Sequence, residues 1–304
     1  MTASATRPRG VDPLNTMMGV RVLAMSPAGT DLEGEAGPRF HDHRGLSGLA
    51  SVGVLADSAV AGAFFASVPH GNRTVVSQLT AAVAAPLPEV GTLTARARIE
   101  HLDLDAGTGL SSGRVVTEDG ATAVSLLARS VIVTRAAQDD VHIGPAATLV
   151  IPDPEPAEPE SLIGLDGRAV VDGIAAGTLA RGPLAGLVGL DVESVFDTTI
   201  SARFIPAPWM SNQVGSVQGG MLFAAAALTT GLTAQTLTTA GQSYRLLDLK
   251  IDFVRSPAVD GPPIRVEAEV VRAGRRIVLI ETRLVDAGGM LLARSGSSAQ
   301  LGRP

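Results

Sequence analysis

Asp57 is the one charged residue in residues 46–68, a run otherwise made of Ala, Val, Leu, Phe, Gly and Ser. A carboxylate in such surroundings is costly to bury unless it is hydrogen-bonded or does work at a cleft. Asp57 is therefore a candidate for acid or base chemistry, against the plain alternative of a carboxylate on a partly exposed turn. A second candidate is Gln218-Gly219-Gly220, which leads into the apolar run of residues 221–228 after a short irregular approach from Asn212. Paired glycines ahead of a helix let another molecule come close to bare backbone. The first turn of that helix aims unpaired N–H groups and a positive dipole end outward, which suits a carbonyl oxygen gaining negative charge. A tight turn without chemistry is the alternative there. His41-Asp42-His43 offers imidazole and carboxylate ligands for a divalent ion, but no third ligand is evident nearby. A polar loop or site rim is the better account, and no metal is expected.

These residues need elements to hold them. Residues 46–68 are too long for a usual strand and hold no internal proline, which favours a helix. Residues 1–15 read as a loose tail, 19–26 as a strand, and the glycine-punctuated acidic stretch 29–37 as a loop. Strands are expected over 74–84, 92–104, 110–117 and 121–134, with Glu118-Asp119-Gly120 as a hairpin turn. Gly107, Gly109 and Gly113 lie between strands with no helix following, so they form a hairpin loop rather than a phosphate cradle. The order is one long helix followed by an antiparallel meander. The Pro-rich acidic stretch 152–159 reads as a stiff linker.

The 304 residues suffice for two domains, and 45% hydrophobic with 18% charged residues is the composition of a well-packed soluble protein. A net charge of -6 with no basic run argues against a nucleic-acid partner. The absence of cysteine excludes a disulfide framework, a thiolate nucleophile and a zinc-thiolate site. Apolar stretches are interrupted by Gly, Ser and Asp57, so no membrane partner is expected, and a cytoplasmic protein is the expectation.

The chain repeats itself. Asp42 and Asn212, Gly45 and Gly215, and Asp57 and Ala227 are each 170 residues apart. An offset kept across a helix and the strand after it points to duplication of one unit. The expected layout is a tail over 1–18, a first unit over 19–135, a linker over 136–160 and a second unit over 161–304. In the second half strands are expected over 187–196, 198–205, 246–255, 263–271, 276–286 and 290–300, with a helix over 218–238.

Asn212, Gly215, Gln218-Gly219-Gly220, a helix and then Asp248 to Pro257 ahead of a strand meander resemble the hotdog-fold thioesterases of the PaaI and 4-hydroxybenzoyl-CoA type. The resemblance covers residues 187–301 well and 45–134 more faintly. It implies an α+β double hotdog, each unit a long helix wrapped by an antiparallel sheet, the two units forming an internal pseudo-dimer that leaves room for a further homodimer. It implies hydrolysis of an acyl-CoA, with CoA as part of the substrate and no separate cofactor. Two departures stand out: Gln218 where the family has His, and Ala227 where it has an acid. The first half departs in the opposite sense, with Leu49-Ala50 at the Gly-Gly positions, Asp42 at the Asn position and Asp57 at the acid position. The resemblance then implies one composite site. Gly219 N–H and the Asn212 amide would polarise the carbonyl beside Gln218, and Asp57 would serve as general base or nucleophile. Gly220, Arg255, Arg275 and Arg276 are implied as contacts for CoA. A mirror site of Asp42, Leu49 and Ala227 should be dead. A non-catalytic acyl-CoA-binding protein is the main rival, and an enoyl-CoA hydratase using His41 to His43 a weaker one.

Overall fold

In a computed structural model, residues 13–133 and 155–302 are described. The first unit runs α1 (Pro13–Met17), β1 (Val20–Ser26), β2 (Gly29–Ala36), a 3-10 turn Leu49–Val52, α2 (Gly53–Ser67), β3 (Arg73–Val83), β4 (Gly91–Asp103), β5 (Thr108–Val116) and β6 (Thr122–Val133). After α3 (Gly167–Ala175) the second unit repeats the order: α4 (Pro183–Val188), β7 (Leu190–Val195), β8 (Thr199–Phe204), α5 (Gly219–Gln235), β9 (Ser243–Phe253), β10 (Ile264–Ala273), β11 (Ile277–Val285) and β12 (Leu291–Gly302). The offset of 170 recurs from α1 and α4 through β3 and β9.

All twelve strands form one sheet in the order β1-β2-β4-β5-β6-β3-β9-β12-β11-β10-β8-β7, two copies of one topology joined where β3 pairs antiparallel with β9. At that seam Thr80 lies opposite Lys250, its own repeat partner, and Gln78 and Ala82 lie opposite Asp252 and Asp248. The pseudo-twofold axis therefore passes between Thr80 and Lys250. Joining the units this way pairs the two strand edges that separate units would leave open. Across the seam the Gln78 amide donates to Asp252 Oδ1 at 2.8 Å.

α2 and α5 lie against this sheet and against each other. Neither helix has a polar face, because each is covered by sheet on one side and by its partner on the other. Their crossing is close: a Cβ on Gly53 would lie 2.7 Å from Gly220 O, and one on Gly220 would lie 2.5 Å from Val54 Cα. Residues 49–67 are long and apolar enough to cross a membrane by composition, but here they form the core helix of the first unit.

Three expectations change. Residues 29–36 are strand β2 rather than a loop: Leu32 and Ala36 face the core, while Glu33 pairs with Arg21 at 2.6 Å on the outer side. The expected tail contains α1, pinned by buried Leu14 and Met17, and α1 packs beside Pro208–Met210 of the second unit just as α4 packs beside Pro38–Phe40 of the first. The second unit begins with α3, whose Val170, Val171 and Ile174 pack against Ile200 and Leu232 over the far end of α5. Most of the expected linker, residues 136–154, lies outside the described residues.

Candidate active site

The fold brings Asp57 of α2 to the first turn of α5. A Cβ placed on Gly219 would lie 3.0 Å from Asp57 Oδ1 and 3.2 Å from Phe253 Cζ, so glycine lets both the carboxylate and the Phe253 ring come this close to the helix start. Asp57 is buried, and its Oδ1 has no hydrogen-bond partner among the described residues. Burial raises its pKa to about 7, opposed in part by the backbone N–H of Gly220. A carboxyl that titrates near neutrality and faces a helix N-terminus can take a proton from water at physiological pH. Beside it, the Gly219 N–H has no acceptor among the described residues.

Gln218 joins the two helices. Its Oε1 accepts from Gly220 N–H at 2.8 Å, capping α5, and its amide donates to Ser58 Oγ on α2 at 3.2 Å. Ser58 was not singled out by sequence reasoning. The signal was its adjacency to Asp57, but its partner lies 160 residues away. Phe253 was missed for the same reason, since only the tertiary fold sets the end of β9 over Gly219. Ser77, on the strand after α2, donates its hydroxyl to Arg129 O at 3.1 Å within the sheet.

Asn212 organises its own turn. Its Oδ1 accepts from Val214 N at 2.9 Å and Ser216 N at 3.1 Å, its amide donates to Ser216 Oγ at 3.0 Å, and Gly215 closes the turn at φ +79. Asp42 does the same in the first unit, accepting from Arg44 N at 2.8 Å and Leu46 N at 3.3 Å, with Gly45 at φ +75. The shared position is thus explained by an Asx turn that needs a side-chain oxygen and a left-handed glycine. Of the arginines, Arg255 follows the end of β9 that carries Phe253. Arg275 and Arg276 are placed elsewhere: they sit in the β10–β11 turn, level with residues 300–302 and hence with the opposite end of β9, roughly 30 Å along that strand.

The two histidines differ: His43 Nε2 is buried with no hydrogen-bond partner among the described residues. His41 Nε2 lies 2.8 Å from Glu89 O, and burial holds His43 neutral with its pKa lowered to about 4. Among the described residues no group of three His, Asp or Glu side chains could hold a metal ion.

The mirror position holds a cavity of about 450 Å³ that Asp57 and Gly219 do not line. Leu49 and Ala227 lie in its wall with Leu87, Leu184, Leu246 and Tyr244. Arg44 stacks on the Tyr244 ring at 3.7 Å and pairs with Asp42 at 2.5 Å. Burial works against the Asp42 charge, but Arg44 outweighs it and keeps the carboxyl below its ordinary range.

Residues 214–293 match the family described as the thioesterase superfamily. No curated protein matches the chain. Solved structures that match it along nearly its whole length include the following three. An acyl-CoA thioesterase II, TesB2, of Mycobacterium marinum aligns with a TM-score of 0.59 at 14% identity, covering 96% of this chain and 97% of that one. A hot dog fold protein of Alicyclobacillus acidocaldarius aligns at 0.60 and 13%, covering 97% and 100%. The tesB protein of Mycobacterium avium subspecies paratuberculosis aligns at 0.60 and 9%, covering 96% and 98%. At these identities the likeness is one of fold. The chain is thus a double hotdog in fold, and its residues 214–293 match the thioesterase superfamily.

Proposed function

We propose that the protein hydrolyses acyl-CoA thioesters at a single composite site built from Asp57 of the first unit and the start of α5 in the second. The observation that carries this reading is the buried Asp57 carboxyl, raised to about 7, facing the bare Gly219 start of α5. Water attacks the thioester carbonyl carbon while Asp57 takes its proton. The carbonyl oxygen becomes an oxyanion held by Gly219 N–H and the positive end of α5. The intermediate then collapses, the carbon–sulfur bond breaks, and the CoA sulfur leaves with the proton returned from Asp57. Gln218 keeps the two helices in register, with Ser58 as its partner on the Asp57 helix. Arg255 remains the proposed contact for CoA, whereas Gly220 is engaged by Gln218 and packed against Val54, and the position of Arg275 and Arg276 separates them from this site.

The test is thiol release from short- and medium-chain acyl-CoA esters by the full chain and by Asp57→Asn. Turnover should rise with pH through a midpoint near 7 as Asp57 ionises, and Asp57→Asn should lower it by roughly 10² to 10⁴ fold. Tight acyl-CoA binding with no thiol release by the unaltered chain would favour the non-catalytic binding protein instead.

A further inference from the structure

The cavity of the mirror cleft takes no part in that chemistry, yet it is shaped as a site. Its volume of about 450 Å³ falls within the range of small-molecule pockets. One side is aliphatic, with Leu46 at the mouth 39% exposed and Leu49, Leu87, Leu184 and Leu228 deeper. The other carries Tyr244. A Cβ on Gly231 of α5 would lie 2.7 Å from the Tyr244 hydroxyl, so glycine at that position makes the space the ring occupies. Tyr244 lines the cavity and is otherwise buried, its pKa is raised by burial so that it stays a donor, and its hydroxyl makes no hydrogen bond among the described residues. The charges around the cavity are mostly engaged: Asp42 with Arg44, and Glu89 with Ser47 N–H at 2.7 Å and with His41. Arg245 differs. It is exposed at the rim, touches only Gln300 Oε1 at 3.3 Å, and has no acidic partner among the described residues.

We propose that this cavity binds an aliphatic carboxylate, its chain against the leucines, its oxygen accepting from the Tyr244 hydroxyl, and Arg245 drawing the anion to the mouth. The cleft that lost its base thus remains a binding site. If the Asp57 cleft hydrolyses acyl thioesters, such a ligand is of the product class; the binding itself does not depend on that activity.

Calorimetric titration of the full chain with decanoate, with decanol as the neutral comparison, reads this without turnover. Decanoate should bind saturably near one equivalent, and decanol at least tenfold more weakly. Tyr244→Phe should weaken decanoate about fivefold. Arg245→Glu, at an exposed position that does not threaten folding, should weaken it by a similar factor or more and remove its salt dependence. Ala227→Leu, which fills the cavity, should abolish it, with circular dichroism confirming the fold. Absence of saturable binding to the unaltered chain would overturn the proposal. So would equal affinity for decanol, or binding that survives Ala227→Leu but is lost in Gly219→Leu, which would place the ligand in the Asp57 cleft.

Discussion

The two helix-start sites of this chain occupy equivalent places about one pseudo-twofold axis and are built in opposite ways. In one, a buried carboxyl faces a helix start with no side chain, and the Phe253 ring lies over that start. In the other, Leu49 replaces the glycine, Ala227 replaces the acid, Val83 replaces the phenylalanine, and the space stays open as a cavity. The backbone that frames them is the same, down to the turns closed by Asp42 and Asn212 and their glycines. In the proposed function, what distinguishes the reactive site from the inert one is a few side chains at the helix starts. The shared turn is scaffold, and its conservation across the repeat carries no chemistry of its own.

The comparison is broken most severely by transferring the inert residue into the reactive cleft. Gly219→Leu puts the mirror side chain within contact of Asp57 and Phe253, and acyl-CoA turnover should fall by about 10³-fold or more through loss of the approach to the backbone donor. Turnover within tenfold of the unaltered chain would show that α5 does not meet the thioester.

The next effect is on stability. The folded chain holds the Asp57 proton more tightly than the unfolded chain, so this group favours folding below about pH 4 and that advantage is lost as pH rises to about 7. Above pH 7 the buried charge costs on the order of 4 kcal/mol relative to acid conditions. Asp57→Asn should therefore be more stable than the unaltered chain by about 2–4 kcal/mol at pH 8 in urea unfolding, with the gain vanishing near pH 4. Equal stabilities at pH 8 would mean that Asp57 is solvated after all.

The smallest effect separates the scaffold from the chemistry. Asn212→Asp installs the mirror residue, keeps the oxygen that organises the turn, and removes only the amide. Turnover should change by less than about threefold, because that amide is bonded to Ser216. A drop of two orders of magnitude, the scale for loss of an oxyanion donor, would restore Asn212 as a carbonyl contact.

Much of this contrast was legible in the sequence because the repeat offset survives where the chemistry does not. A lone carboxylate in an apolar helix and a glycine pair before another helix are local signals, and the offset of 170 aligned them with Ala227 and Leu49. β2 was missed because its core contacts come from only every second residue, while Gly34 and the acids that pair with Arg21 and lie beside Arg96 give the stretch a loop composition. Helices α1 and α4, each under two turns, carry too few residues for a periodic signal; their proline starts and buried leucines matter only once the other unit is in place. Ser58 and the Tyr244 cavity depend on contacts between units, and Phe253 on the packing of β9 against α5 within the second unit, none of which a single stretch encodes.

The central claim is that chemistry resides in one cleft because the other lacks both the glycine start and the base. It is tested most directly by moving the base across the axis, measuring acyl-CoA hydrolysis by the Asp57→Asn, Ala227→Asp double variant beside Asp57→Asn alone. The account predicts equal, residual turnover in both, since Leu49 still covers the helix start that the transplanted carboxylate would face. Turnover in the double variant recovering to within tenfold of the unaltered chain would contradict it, showing that the mirror cleft lacked only its acid.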